Sequence, residues 1–304
     1  MIMILGVTAS GKSTLAFDLA RTIGAQIISI DSMKVYRRMD IGTAKPSSER
    51  RNAVKHHLID ILEPSESCSA GKFLDLTNQA IDLVKSENKP LIAAGGTALY
   101  TKTLLYGMFD GPPANDDIRN ALKERIDTEG IQALHRELTQ VDPEASERIH
   151  PNDARRIIRA LEVHQITGKP ISSFQNQFSA EKPLDNWKII GLRRQKDQES
   201  RRMNLRVKKM VEMGLLEEVE NLLAEDNPLS KQAAAAIGYA EIIDHLKGEF
   251  SFDEAIEKIK INTRKFAKSQ RTWFKSFKGV TWIDVEEDQT PDDILNETME
   301  LLQP

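Results

Sequence analysis

The sequence holds a single cysteine, Cys68, so no internal disulfide can form and disulfide-stapled secreted folds are excluded. No metal-spaced Cys or His set accompanies it. The adjacent His56-His57 pair would point its rings to opposite faces of a strand, so no metal site built from protein ligands alone is expected. Long apolar runs are missing too. Met1–Leu5 runs straight into a glycine loop, with no basic stretch before it and no small-residue cleavage site, and reads as a buried first strand. A cytoplasmic protein with no membrane partner is therefore expected. Neither sign of charge dominates: a net charge of −4 argues against a protein that coats nucleic acid indiscriminately. Internal repeats and low-complexity stretches are also lacking.

What is present is 304 residues, 40% hydrophobic and 29% charged, enough for one large core and an appended unit. Apolar runs at Met1–Leu5, Ala25–Ile30 and Pro90–Ala94, each followed by a helical pattern, read as buried parallel strands. Such alternation implies a doubly wound sheet with ligands at the carboxyl ends of its strands. After Gly111-Pro112-Pro113 the pattern becomes helix upon helix, at 117–128, 131–139 and 152–167. The core resumes at Trp187–Leu192. Helices follow at 198–213, 215–224, 232–246 and 252–277, then a short strand at 280–283 and a small terminal helix. The expected class is α/β: a P-loop NTPase-like parallel sheet flanked by helices, split as 1–112 and 187–304 by a helical insertion at 113–186.

The stretch Gly6-Val7-Thr8-Ala9-Ser10-Gly11-Lys12-Ser13 follows the first strand and opens the first helix. Its glycines let the backbone curl so that successive N–H groups aim at an anion, Lys12 adds a point charge, and Ser13 can ligate Mg²⁺. The second strand delivers Asp31-Ser32, whereas the third delivers Gly95-Gly96-Thr97 without the carboxylate of an ordinary NTPase. On spacing alone Asp31 could be a helix cap or Mg²⁺ ligand, and Thr97 a turn hydroxyl. Arg202 and Arg206 share a helix face and could clamp a diphosphate, although Arg201, Lys208 and Lys209 make a plain solvated face an alternative. Basic clusters at Arg155, Arg156 and Arg159, at 188–209 and at 258–278 suit a folded RNA backbone. Trp273, Phe274 and Phe277, at helical spacing, read as core.

Together with the P-loop, several segments resemble the tRNA dimethylallyltransferase (tRNA isopentenyltransferase) family. They are Asp31-Ser32-Met33-Lys34-Val35-Tyr36, Met39–Pro46, His57–Asp60, Gly95–Tyr100, Asn152–Glu162, Ile237-Gly238-Tyr239 and Gln270–Phe274. The resemblance runs in order over about nine-tenths of the chain and is of the bacterial type, since no zinc-finger Cys/His set follows. It implies transfer of a dimethylallyl group from dimethylallyl diphosphate, with Mg²⁺, to N6 of the adenine 3′ of the tRNA anticodon. On that basis Asp31 is the base, Thr97 bonds substrate or diphosphate, and Arg206 contacts the diphosphate held by Gly6–Ser13. The resemblance assigns tRNA contacts to Asp31, Ser32, Met33, Lys34, Thr97, Arg119, Arg155, Arg156, Ile157, Ile158, Arg159, Lys268 and Gln270. The insertion would then close on the anticodon arm, with a monomer as the default state. The chain departs from the family pattern at Val7, commonly Pro, at Lys34, commonly Gln, and at Ser269, commonly Arg. A small-molecule P-loop kinase, an adenylate prenyltransferase using free nucleotide, and an RNA-binding protein with a relic nucleotide site remain competing readings.

Overall fold

The computed structural model describes residues 1–108, 111–174, 183 and 186–303. In chain order the first elements are β1 (Ile2–Gly6), α1 (Lys12–Ile23), β2 (Gln26–Ile30), α2 (Ser48–Ala53), β3 (His56–His57), α3 (Ala70–Ser86), β4 (Leu91–Gly95) and α4 (Ala98–Tyr106). Four helices follow: α5 (Asp116–Glu129), α6 (Ile131–Val141), α7 (Pro143–Arg148) and α8 (Ala154–Thr167). The chain then forms β5 (Lys188–Arg193), α9 (Lys196–Glu212), α10 (Leu215–Leu223), α11 (Lys231–Ala234), α12 (Tyr239–Leu246), α13 (Phe252–Phe274), β6 (Val280–Asp284) and α14 (Pro291–Leu302).

Six strands form one sheet in the order β3-β2-β4-β1-β5-β6, every neighbouring pair parallel. Because these strands are parallel, the loops leaving β1, β2, β4 and β5 emerge along one edge. Parallel strands covered on both faces leave no residue facing solvent, as the unbroken burial of Gln26–Ile30 shows, the polar Gln26 and Ser29 included. On one face, Leu15, Ala16, Leu19 and Ala20 of α1 pack with Ile4, Ile27, Ile92, Ile190 and Ile283. Burial stabilises by about 1.5–3 kcal/mol for each of the large aliphatic side chains.

Two expectations need correction. The strand at Leu91–Gly95 is the fourth and not the third, because His56–His57 pairs with Ile27 and Ile28. Two polar residues are too short a strand to show an alternation. The helix expected over 232–246 is two helices, broken before Gly238, whose φ of 98° is left-handed.

The chain divides into two compact units: Met1–Leu105 with Lys182–Pro304, and Tyr106–Glu181. The first unit carries the sheet. In the second, Leu122, Leu134, Leu138, Ile157 and Leu161 of α5, α6 and α8 form a separate apolar core. The expected insertion boundaries, 113 and 186, differ from these divisions by several residues. Asp110, 175–182 and 184–185 lie outside the described residues.

Candidate active site

After β1 the chain turns through Val7–Ser10 and enters α1 at Lys12. Ala9 (φ 62°) and Gly11 (φ 106°) are left-handed, the alternation that curls a backbone around an anion. Ser10 N–H donates to the Val7 carbonyl at 3.2 Å and closes the turn. The N–H groups of Ala9, Gly11 and Ser13 find no acceptor among the described residues. Unpaired donors gathered at a helix N-terminus form an anion cradle. Lys12 folds back over it, Nζ donating to the Val7 carbonyl at 3.2 Å.

The next two edge loops meet beside this one. The Ile30 carbonyl at the end of β2 accepts the N–H groups of Gly96 and Thr97 at 3.2 and 3.3 Å, locking the β4 turn to it. Thr97 Oγ1 accepts Ser32 N–H at 3.0 Å and donates to Ser32 Oγ at 3.3 Å. Asp31 Oδ1 accepts the N–H groups of Met33 and Lys34 at 2.9 and 3.3 Å, while Oδ2 has no donor among the described residues. One carboxylate oxygen therefore shapes the turn and the other is available to a substrate.

Cations crowd the same place. Burial, reinforced by Lys34 and Arg206 and opposed by Asp31, pushes the Lys12 ammonium down to about 7. Burial also lowers Lys34 and Arg206, in both cases against the pull of Asp31. Arg202 Nε donates to the Ala9 carbonyl at 2.9 Å, and Arg194 Nε to the Ser10 carbonyl at 3.0 Å. Arg206 Nη2 lies 3.4 Å from the Thr43 carbonyl. Burial is the leading cause in all three, neighbouring cations add to it for Lys12 and Lys34, and a site that gathers such groups favours an anion. The sequence reading missed Arg194, although its position directly after β5, on the edge where β1 also ends, was a usable signal.

The resemblance assigned Gln270 to RNA, but the structure buries it at 3% exposure. Its Oε1 accepts Thr8 N–H at 2.9 Å and its Nε2 donates to the Gly96 carbonyl at 2.7 Å. It ties α13 to the P-loop and to the Thr97 turn together. Lys268 is exposed on the same helix. Phe274 and Phe277 are buried as expected, while Trp273 is half-buried with Lys102 Nζ 5.7 Å from its ring centre.

The loop at Met39–Pro46 is held from α10 and α12. The Glu218 carboxylate accepts the N–H groups of Asp40, Ile41 and Gly42 at 2.9, 2.7 and 3.1 Å, and the Tyr239 hydroxyl at 2.6 Å. That explains why Tyr239 is buried and places Thr43 where its carbonyl meets Arg206.

In the second unit, the basic helix α8 divides its residues. Arg155 and Arg156 are exposed, Arg156 pairing loosely with Asp153 at 3.2 Å. Ile157 and Ile158 belong to the core, at 0% and 7% exposure, so their side chains are not an RNA surface. Arg159 and Arg119 both pair with the fully buried Glu162, at 2.6 and 2.9 Å. Glu162 also accepts Asn115 N–H at 2.7 Å, and Arg159 donates to the Pro112 carbonyl at 2.8 Å. These two arginines, expected to touch RNA, hold the start of α5 against α8.

Comparison with known proteins agrees with this geometry. The family model for IPP transferase matches residues 34–277. A tRNA dimethylallyltransferase of Geobacter metallireducens is 45% identical over 285 residues, 93% of this chain and 92% of that one. The crystal structure of a full-length tRNA isopentenylpyrophosphate transferase from Bacillus halodurans superposes with a TM-score of 0.70 at 38% identity, covering 98% of this chain and 95% of the other. A eukaryotic dimethylallyltransferase acting on tRNA gives a TM-score of 0.84 at 26% identity, covering 98% of this chain and 77% of its own. The chain belongs to the IPP transferase family.

Proposed function

We propose that this chain transfers the dimethylallyl group of dimethylallyl diphosphate to N6 of adenosine 37, the nucleotide 3′ of the anticodon in tRNA, and releases diphosphate. The observation that carries this reading is the pairing of two features on one sheet edge. Among the described residues, a cradle of three N–H groups without an acceptor is ringed by Lys12, Arg194, Arg202 and Arg206, and a carboxylate oxygen of Asp31 has no donor.

The chemistry uses both. The bond between the allylic carbon and the diphosphate oxygen breaks with its electron pair going to the diphosphate, where the cradle and its cations stabilise the growing charge. N6 forms the new bond to that carbon and loses one proton, which Asp31 Oδ2 accepts. Thr97, whose Oγ1 accepts Ser32 N–H, orients the substrate beside Asp31 in this reading.

The donors here also suit Mg²⁺: the exposed Ser13 hydroxyl and the Asp31 carboxylate are hard oxygens, and no larger cluster of His, Cys, Asp or Glu occurs among the described residues. Bound with the diphosphate, the ion would neutralise leaving-group charge.

The exposed Arg155, Arg156 and Lys268 are the tRNA contacts that this reading retains. The cytoplasm, where tRNA is found, is the setting that follows. No helix among the described residues is long and apolar enough to cross a membrane.

The kinase reading gains no support, because β4 ends in Gly95-Gly96-Thr97 with no carboxylate. The test is to incubate the protein with Mg²⁺, labelled dimethylallyl diphosphate and either tRNA or AMP. Label in tRNA at adenosine 37 is expected. Label in AMP alone would overturn the assignment in favour of an adenylate prenyltransferase.

A further inference from the structure

A cavity of about 290 Å³ lies against α1, β2 and the turn at 44–47, with Ser13, Ser29, Lys34, Lys45, Arg50 and His56 as its polar wall. Among the described residues, no Asp or Glu lines it. Its cations differ in what already answers them. Lys45 is paired with Asp40 and Asp60 at 2.5 and 2.6 Å. Arg50 lies over the Phe17 ring, 4.8 Å from its centre. His56 Nδ1 is engaged by the Val54 carbonyl at 2.7 Å. Lys34 is half-buried, yet no hydrogen bond or ion pair reaches its Nζ among the described residues.

A half-buried ammonium without an acceptor is costly unless an anion arrives. Where that anion comes from is set by the wall that Lys34 shares with the P-loop: Ser13, the last residue of the phosphate cradle, lines the same cavity. Lys34 is also close enough to Lys12, Arg206 and Asp31 to feel the charge of each. In the sheet order β2 and β5 lie on either side of β4-β1, so Lys34 comes to the loop from the strand side away from Arg194 and Arg202.

We propose that Lys34 Nζ is a further contact to the leaving diphosphate, donating to one of its oxygens across the cavity shared with Ser13, and is not an RNA contact. The proposal rests on the prenyl-transfer reading for the identity of the anion. Lys34 gives up no proton in this role; its hydrogen bond and charge strengthen as the carbon–oxygen electron pair moves onto the diphosphate.

The test is calorimetric titration of inorganic diphosphate into the protein in Mg²⁺-free buffer, for the wild type, Lys34→Gln and Lys34→Arg. Loss of one charge-assisted hydrogen bond raises the Kd of Lys34→Gln about tenfold, and Lys34→Arg recovers most of it. The Kd for tRNA stays at the wild-type value in all three. If Lys34→Gln lowers the thermal midpoint, Lys34→Met, which keeps the stem and loses the charge, repeats the comparison. A diphosphate Kd unchanged on loss of the charge, or raised equally by Lys34→Arg, overturns the proposal. A raised tRNA Kd with diphosphate binding intact returns Lys34 to RNA. These titrations require no turnover, so a failure of prenyl transfer in the wild type would refute the function without deciding them.

Discussion

At the scale of single residues, Asp31 divides its work between its two oxygens. Oδ1 is occupied by the N–H groups of Met33 and Lys34, and Oδ2 has no donor among the described residues. Asp31→Asn keeps an acceptor for the turn while removing the proposed base. Its kcat is expected to fall by about 10²–10⁴-fold, with the Kd for tRNA unchanged. Single-turnover rates and a filter-binding titration check the two halves separately. Gln270 makes a different prediction. Gln270→Glu puts a carboxylate against the Gly96 carbonyl, so kcat falls and the thermal midpoint drops, while tRNA affinity holds. A loss confined to tRNA affinity would restore its expected RNA role. The P-loop, Asp31 and Thr97 were legible in the sequence because glycine spacing and strand ends announce them. Gln270 was not, since a basic helix does not say which of its polar residues points inward. Arg194 was hidden for a related reason: its partner is a backbone carbonyl, which no side-chain pattern records.

At the scale of elements, α8 and α5 are held together by one buried carboxylate. Burial alone would raise the Glu162 acid, but the Asn115 N–H and the guanidinium groups of Arg159 and Arg119 outweigh it and hold the group below its ordinary range. With the folded value beneath the unfolded one, the stabilisation is fully present above the ordinary Glu range and is lost as the pH falls through the folded value. Glu162→Gln should therefore lower the thermal midpoint at neutral pH and flatten its decline in acid. Removing one partner of such a pair costs about 3 kcal/mol, the low end of the buried range because both arginines are partly exposed. Midpoints measured from pH 7 to 3 decide it; parallel curves for variant and wild type would contradict it. Periodicity located these helices to within a few residues. It also put Arg155 and Arg159 on one face, which is sound geometry. What it could not supply was Arg119, forty positions before Arg159 in sequence, arriving at the same carboxylate, so the structural role of both arginines was not legible.

At the scale of the whole molecule, the alternation of apolar runs and helical patterns was enough to imply a parallel sheet with its ligands at one edge. The full strand order was not legible, because β3 pairs through two histidines and carries no apolar signal. Net charge was equally silent about placement: a chain of net −4 gathers Lys12, Lys34, Arg194, Arg202 and Arg206 around one loop. For RNA, the exposed Arg155 and Lys268 predict a salt-sensitive affinity, and replacing both with Ala should reduce the slope of log Kd against log salt by ~1 for each phosphate contact removed. The P-loop, which in an NTPase would hold the nucleotide, holds the leaving group in the proposed reaction. The most direct measurement of that claim is the yield of diphosphate and of prenylated adenosine 37 from one reaction of protein, Mg²⁺, tRNA and dimethylallyl diphosphate, with no nucleoside triphosphate added. Equimolar products are predicted; transfer that requires a nucleoside triphosphate, or diphosphate released without transfer, would contradict it.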